Sequence, residues 1–456
     1  MPPNIASLLC VCFIVWLFYR YPARRAGVSG ALWIPLVWIF IVSSRPVSLW
    51  IGNGQYGSDQ QLDGSPIDSL VFFALIIAGA IVVSRRRVNW AVLFRKNRWL
   101  FIFFIYLGVS VIWSDYPFIA LKRWIKDLGN VIMVLVVLSD QNPIQAVRFL
   151  LARCCYLLLP LSVVFIKYFP DLGRHYDPWS GMAYFCGVST DKNLLGMTLF
   201  ACALSLVWML LQPDPGRTRV QARVDCFILW LMGGMTFWLL QQAHCATAVS
   251  STLVGALVII GTRFTPIRTH LGAYGAAAAV ILLFLNLTVN LPEIFAQVLG
   301  RNMTLTGRTD IWAALLKEGA NPLIGAGFYS FWMGDRIARL SGDFFYDLNE
   351  AHNQYLETYL NSGLIGLALL FVLLLSAGIW IKKEAMKSEP FGAFRLACFL
   401  PMLLYGVTEA FMNRLGFLWF LFLLIVMQYP QRIGLKNKPI RPSVPQHDQV
   451  RLEPVI

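Results

Sequence analysis

The chain of 456 residues is 57% hydrophobic and only 14% charged, and its mean hydropathy is +0.62. A soluble domain of this length carries far more charge, so the composition excludes an ordinary soluble protein and indicates a polytopic membrane protein. The formal net charge of +14 does not point to nucleic acid. The basic residues cluster in short loops between apolar runs, as membrane topology requires.

Apolar runs long enough to cross a bilayer recur along the chain. Roughly 15 to 25 apolar residues cross a hydrocarbon core about 30 Å thick, and the absence of an alternating strand pattern favours helices over a barrel. We predict an all-α fold with about thirteen spans, or about twelve if the first run does not cross. The runs lie near residues 5–19, 29–43, 67–84, 99–113, 126–139, 147–168, 193–211, 225–241, 246–262, 271–290, 354–381, 391–411 and 415–429.

The basic loops predict the orientation of these spans. They follow alternate apolar runs, so they all lie on one side, which the positive-inside rule assigns to the cytoplasm. The N-terminus is then outside and the C-terminus inside. The loops lie near residues 20–25, 85–98, 217–223, 263–268, 382–387 and 432–441.

The pattern divides the chain into four predicted regions. Residues 1–290 form an N-terminal transmembrane bundle, and residues 291–353 form a long external loop with short helices. Residues 354–430 form the C-terminal transmembrane helices. Residues 431–456 combine several prolines with mixed charges, so we expect a disordered cytoplasmic tail.

Several basic residues fall on the predicted external side, where the positive-inside rule disfavours them. A cationic cluster at the outer interface suits an anion such as a lipid phosphate or diphosphate. The alternative is that each side chain extends to the interface or pairs with a neighbouring carboxylate and does nothing else. The residues are Arg123, Lys126, Arg174, Lys192, Arg308 and Arg414.

His352 is the second candidate, because the chain has only 5 histidines and this one lies between Glu350 and Asn353 at the start of a predicted span. Imidazole titrates near neutrality and can act as a general base. On a continuous helix His352 and Tyr355 would share one face. The alternative is a hydrogen-bonded polar residue without a chemical role.

A polar stripe beside this face is also predicted, from Asn353 through Glu357 to Asn361. No second His or Cys occurs at metal-ligand spacing and no D-x-D pair is present, so no metal site is predicted. The glycines of NPLIGAGF lack the Lys-Ser/Thr of a phosphate loop, so nucleotide binding is not supported.

A set of short motifs lies along the second half of the chain and in two segments before it. The motifs are WSDYPFIALKR from Trp113, DKNLLG from Asp191, GRTDIW from Gly307, NPLIGAGF from Asn321, AHNQYL from Ala351, GLIG from Gly363 and VTEAF from Val407. Taken together, these motifs resemble the O-antigen ligase and O-antigen polymerase superfamily, and most of all its exopolysaccharide-polymerase-like branch. The order of the motifs is more specific than any one of them, and the resemblance extends from about residue 110 to about residue 425. One departure is QQAHCATAVSS, where the family commonly has a run of Ser and Thr.

The resemblance implies a metal-independent, membrane-embedded glycosyltransferase with a GT-C-like helical fold. It would act on the periplasmic face of the bacterial inner membrane, without a cofactor. Its donor would be a glycan on a polyprenyl diphosphate, and its acceptor a second glycan or lipid A-core. Membrane lipids and other polysaccharide assembly proteins would be its further partners.

The same resemblance implies roles for individual residues. His352 would be the base that takes the proton from the acceptor hydroxyl. Arg308 and Lys192 would hold the donor diphosphate, and Arg123 joins them because of its external charge. The supporting residues would be Asn353, Tyr355, Glu409 and Arg414.

Four readings of the function stay open. A polymerase extends a lipid-linked glycan, whereas a ligase transfers it to lipid A-core, and the exopolysaccharide-like motifs favour the polymerase. A transporter or flippase of lipid-linked sugars would also use external cations, but it predicts inverted repeats, which the sequence does not contain. A structural scaffold in polysaccharide export leaves the polar residues around Arg308 and His352 unexplained.

Overall fold

The computed structural model describes residues 1–23, 27–52, 65–176, 183–213, 218–270, 272, 308–344, 350–387 and 390–429. Within them the chain is almost entirely helical, which confirms the all-α fold class. The helices are α1 (Pro3–Arg20), α2 (Trp33–Ser43), α3 (Val47–Ile51), α4 (Pro66–Arg85), α5 (Trp90–Lys96), α6 (Arg98–Val109), α7 (Pro117–Leu138), α8 (Pro143–Tyr168), α9 (Pro170–Gly173), α10 (Lys192–Leu211), α11 (Arg219–Ala243), α12 (Ala246–Gly261), α13 (Thr265–Thr269), α14 (Arg308–Lys317), α15 (Asp335–Phe344), α16 (Gln354–Met386), α17 (Pro390–Thr408) and α18 (Phe417–Val426).

Short elements complete the described fold. Two 3₁₀ turns, Gly30–Leu32 and Ser110–Trp113, precede α2 and follow α6. Strands β1 (Arg174–Tyr176) and β2 (Ala183–Phe185) pair antiparallel, with His175 opposite Tyr184.

Local sequence signals start many of the helices. Helices α4, α7 and α8 begin with a proline, whose missing N–H costs nothing in the first turn. Asp191 caps α10 through its carboxylate, and Thr218 caps α11 in a capping box with Gln221.

Seven helices in the described part of the chain are long and apolar enough to cross a membrane, so the chain is a multi-pass membrane protein. They are α1, α4, α8, α10, α11, α16 and α17. Helices α5 and α6 form a bent pair, with 88° between them, that brings the number to eight if it is one span. Shorter apolar helices cover Gly30–Ser43, α12 and α18.

The sequence predicts about thirteen spans, which is more than the seven or eight long apolar helices that the structure describes. Two features of the structure explain the difference. Some apolar runs are used in 3₁₀ turns and short helices, and α7 carries Lys122, Arg123, Lys126 and Asp127 in its first half. Every predicted run falls on a helical element except 271–290, of which the structure describes only Gly272. The boundaries of the four predicted regions stay a prediction.

The helices pack around one large apolar core in which α18 is buried along its whole length. Helices α7, α8, α10 and α17 also contribute many of the core residues. We call the end of the bundle where α7, α10 and α16 begin the outer end, and the opposite end, which carries Arg85–Arg87, the basic end.

A second, smaller apolar core lies at the outer end. It joins α14, α15 and the segment between them to the start of α16, through Ile311, Leu315, Phe331, Trp332, Leu340, Ala351 and Leu360. The predicted external segment is therefore a folded layer on the bundle where the structure describes it.

Two glycine-containing segments, NPLIGAGF from Asn321 and GLIG from Gly363, join this layer to the bundle through backbone hydrogen bonds. Helix α16 breaks at Gly363, whose φ of 65° favours glycine. The N–H groups of Leu364 and Ile365 then bond to the carbonyls of Pro322 and Leu323, at 2.9 and 3.1 Å. A Cβ at Gly363 would overlap the Leu323 carbonyl. The break thus exchanges helical hydrogen bonds for contacts that fix the outer layer.

Candidate functional site

His352 lies at the outer end, two residues before α16 begins at Gln354. Its backbone is left-handed, with φ 47°, so it is not on the helix and does not share a face with Tyr355. That prediction was wrong because Asn353 is the N-cap of α16, so the helix begins only after His352. The Asn353 side-chain oxygen accepts the N–H groups of Tyr355 and Leu356, at 3.0 and 3.1 Å.

The His352 imidazole is held between two carboxylates. Its Nδ1 lies 2.8 Å from Oε1 of Glu350 and 3.2 Å from Oε2 of Glu409. The His352 side chain is 27% exposed, and Nε2 makes no hydrogen bond to any residue that the structure describes. A proton on Nδ1, shared with the carboxylates, leaves the Nε2 lone pair available to accept a proton from a bound hydroxyl.

The same carboxylates determine the charge of His352. Burial by itself would lower the pKa, but the hydrogen bonds to Glu350 and Glu409 and their negative charges raise it to about 9. At neutral pH most of the imidazole is therefore protonated, and the neutral fraction is about one in a hundred. As the pH rises toward 9, the fraction of neutral imidazole, the form that can accept a proton, increases.

Arg414 fixes the carboxylates from the other side. Its guanidinium lies 2.5 Å from Oε2 of Glu350 and 3.6 Å from Oε1 of Glu357. The buried Glu357 also accepts the indole N–H of Trp332, at 2.6 Å, and the backbone N–H of Ala351, at 3.1 Å. Glu350 is thus held in place for its contact with His352.

Arg123 joins this network through Tyr329. Its guanidinium donates to the Tyr329 carbonyl at 3.2 Å and lies 5.3 Å from the centre of the ring, which Arg414 approaches at 5.8 Å. Tyr329, His352 and Asn413 have φ angles of 55°, 47° and 59°. Left-handed non-glycine residues are uncommon, and such strain collects at functional sites.

Lys192 lies at the start of α10, next to the capping residue Asp191. Its ammonium group is 5.1 Å from the centre of the Tyr184 ring. Desolvation and the negative charges of Glu350 and Glu409 raise the pKa of Asp191. The start of α10 is therefore electrostatically coupled to the carboxylates that hold His352.

Arg308 is the first residue of α14, and its side chain lies outside the described residues. Trp312, one turn later on the same helix, donates its indole N–H to the carbonyl of Ala351, at 2.7 Å. The helix that carries Arg308 is thereby attached directly beside His352.

Two predicted supporting residues have structural contacts. Asn353 caps α16, as described above. The Tyr355 hydroxyl donates to the carbonyl of Leu403 at 2.9 Å, and its ring stacks on Phe371 with centroids 5.6 Å apart. Both residues position the start of α16, and among the described residues neither forms a hydrogen bond with the imidazole of His352.

Sequence reasoning did not select Glu350, Glu357 and Tyr329 as site residues. Their signal was weak: Glu350 is two residues from His352, and Glu357 belongs to the predicted polar stripe. The predicted stripe is confirmed between Glu357 and Asn361, because the Asn361 side chain donates a hydrogen bond to the Glu357 carboxylate at 3.1 Å.

Glu350, His352 and Glu409 could also hold a metal ion, since one ligand atom of each lies within 4.8 Å of the others. The sequence spacing did not predict this set, because Glu409 comes from another helix end. The Nδ1–carboxylate distances of 2.8 and 3.2 Å are those of hydrogen bonds, so one proton on Nδ1 satisfies all three groups.

Comparison with known proteins agrees with the motifs. Residues 227–371 match the family model described as O-antigen ligase. Over 324 residues the chain is 26% identical to the exopolysaccharide production protein ExoQ of Rhizobium meliloti (strain 1021), covering 65% of this chain and 67% of that protein. Both matches indicate a function of the ligase or polymerase type in polysaccharide biosynthesis. The chain is therefore similar to the O-antigen ligase and polymerase-like family, in agreement with the resemblance of its motifs.

Proposed function

We propose that the protein is an inner-membrane glycosyltransferase that polymerises a glycan carried on polyprenyl diphosphate, at the periplasmic face. The observation that carries the proposal is the His352 imidazole, held at Nδ1 by Glu350 and Glu409 with Nε2 open, beside cationic residues at the outer end of the bundle. The production protein among its relatives favours exopolysaccharide as the product.

The proposed reaction is a displacement at the anomeric carbon. The acceptor hydroxyl attacks from the face opposite the diphosphate, its proton passes to Nε2 of His352, and the polyprenyl diphosphate leaves with the bonding electron pair. This geometry inverts the anomeric centre. The base must lie within hydrogen-bond reach of the attacking oxygen.

Cationic side chains would stabilise the leaving diphosphate. We assign this role to Arg308, Lys192 and Arg123, because fixed positive charge neutralises the developing charge on the leaving group. Arg123 and Arg414 flank Tyr329, and α14 is attached beside His352 by Trp312. In this proposal Arg414 orients Glu350 and does not bind the donor.

We also propose that the reaction needs no divalent metal. The basis is that a proton on Nδ1 of His352 already satisfies Glu350 and Glu409, and that Arg414 neutralises Glu350. The positive charge that a metal would supply to the diphosphate would come from the basic side chains.

The test is the glycan profile of a strain that lacks this gene, complemented with the wild type or with His352→Ala. A polymerase predicts that long chains disappear while single repeat units accumulate on the lipid carrier. Loss of O-antigen from lipopolysaccharide while lipid-linked chains stay long would identify a ligase instead. An unchanged profile of both products, or full rescue by His352→Ala, would contradict the proposal.

A further inference from the structure

A polar cavity lies at the basic end, opposite the proposed glycosyltransferase site. It has a volume of about 470 Å³ and is lined by Arg85–Arg87 at the end of α4, by Ser139–Gln141 after α7, and by Ser29. Each residue of its lining carries a polar or charged group, unlike the apolar residues on the surface of the helices around it. A cavity of this composition fits a headgroup or a small anion rather than an acyl chain.

Arg86 builds the floor of this cavity. Its guanidinium donates to Ser29 Oγ at 2.7 Å and to Ser139 Oγ at 2.9 Å, it bonds to the carbonyl of Val136, and it pairs with Asp140 at 3.1 Å. The side chains of Arg86 and Asp140 are 16% and 0% exposed. This network joins the ends of α4 and α7 and neutralises Arg86 internally.

Arg85 and Arg87 supply charge that is not neutralised. Both are exposed, both line the cavity, and neither has a hydrogen bond or ion pair with any described residue. With Arg86 paired to Asp140, the lining keeps two unpaired positive charges, from Arg85 and Arg87. Two guanidinium groups at the rim of a polar cavity supply the positive charge and the hydrogen-bond donors that a phosphate group requires.

We propose that this cavity binds a phosphate group, with Arg85 and Arg87 as its ligands and the Arg86–Asp140 pair as the rigid floor. The positive-inside rule explains why arginines occur at this end of α4. It does not explain a polar cavity around them with a floor fixed by buried hydrogen bonds. The phosphate would belong to an anionic lipid headgroup or to a soluble phosphate, and the experiment separates the two.

The experiment is native mass spectrometry of the purified full-length protein in detergent. The probes are phosphatidylglycerol, phosphatidylcholine and inorganic phosphate, each titrated separately. We expect the wild type to bind phosphatidylglycerol more tightly than phosphatidylcholine. Arg85→Gln with Arg87→Gln should weaken this binding by about tenfold or more, since two charge-assisted contacts are lost.

The matched control is Arg95→Gln with Lys96→Gln, which removes two exposed basic residues from α5 at the same end of the bundle. This variant should keep wild-type affinity. If inorganic phosphate binds and only the Arg85 and Arg87 variant loses it, the ligand is a soluble phosphate and the site stands. If neither probe depends on Arg85 and Arg87, or if both double variants weaken binding equally, the proposal is wrong.

The glutamine double variant removes two positive charges, and this loss could by itself change the membrane topology. A second double variant, Arg85→Lys with Arg87→Lys, controls for this effect, because it keeps the charges and loses only the planar guanidinium groups. It should bind phosphatidylglycerol several-fold less tightly than the wild type. Wild-type affinity in both the lysine and the glutamine variants would overturn the assignment. Glycan transfer is a separate readout, so failure here leaves the proposed function unaffected.

Discussion

Asp127 and Glu409 are buried to the same degree, each 2% exposed, yet their surroundings prepare them for different roles. Asp127, within α7, accepts the indole N–H of Trp419 at 2.5 Å and the amide of Asn130 at 3.3 Å. Glu409, at the outer end, contacts the partly exposed imidazole of His352. Burial by itself therefore does not distinguish the two carboxylates, whereas an ionisable partner that reaches solvent does.

The hydrogen bonds of Asp127 and its neighbour Asn130 hold three helices together. Asn130 also accepts the indole N–H of Trp38 at 2.8 Å, so the carboxyl and the amide together join α2, α7 and α18. The donors are neutral N–H groups, and Asp127 forms no ion pair with any described residue. This gives a direct contrast with Glu409, whose negative charge acts on His352.

The largest predicted effect is the loss of transfer in His352→Ala. Removing a general base should lower the rate by about a hundredfold to about ten thousandfold. The measurement is glycan transfer by purified protein to a lipid-linked acceptor, with protein yield and thermal unfolding as checks on folding.

His244→Ala is the matched control, because His244 is also a left-handed residue at the outer end of a helix, with φ 46°. It should transfer glycan within a few-fold of the wild type. If the His244 and His352 variants lose equal activity, the site around His352 is not the centre of the chemistry.

The same carboxylate-to-amide change at the two buried acids should have unequal effects. Glu409→Gln can place an amide donor against Nδ1, which favours a proton on Nε2 and blocks its role as a base. We expect the maximal rate over a pH series to fall about tenfold or more, because Glu350 still holds the ring. Asp127→Asn should keep the maximal rate within a few-fold, and the reverse order would overturn the comparison.

The pH dependence distinguishes a base from a fixed cation at His352. Its pKa is raised to about 9, so the neutral imidazole accumulates as the pH rises toward that value. If His352 is the base, the rate of transfer increases with pH and levels off above about 9. If the imidazolium is required, the rate falls through the same range. Glu409→Gln should move the transition to lower pH, since it removes one cause of the raised pKa.

Chelation should have the smallest effect. If a proton rather than a metal ion joins Glu350, His352 and Glu409, transfer continues in EDTA at the untreated rate. The control is the same protein with added Mg²⁺ or Mn²⁺, which should not raise the rate. Loss of activity in EDTA that a divalent cation restores would contradict the metal-free proposal and make these three residues the candidate ligands.

The sequence by itself determined the fold class and the position of most helices, because hydropathy and run length are local properties of the chain. It also marked the residues that depart from the membrane pattern, such as His352 and Arg123. It could not show that α16 starts only after His352, because the Asn353 cap and the left-handed backbone depend on the packing around them.

Only the tertiary structure decided which polar groups meet. Glu409 lies 57 residues from His352, and Tyr329 lies 206 residues from Arg123, so no periodicity relates them. The break of α16 at Gly363 acquires its meaning from the loop around Leu323 that satisfies its backbone. Long-range contacts of this kind depend on how the helices pack against each other, and that information is spread over the whole chain.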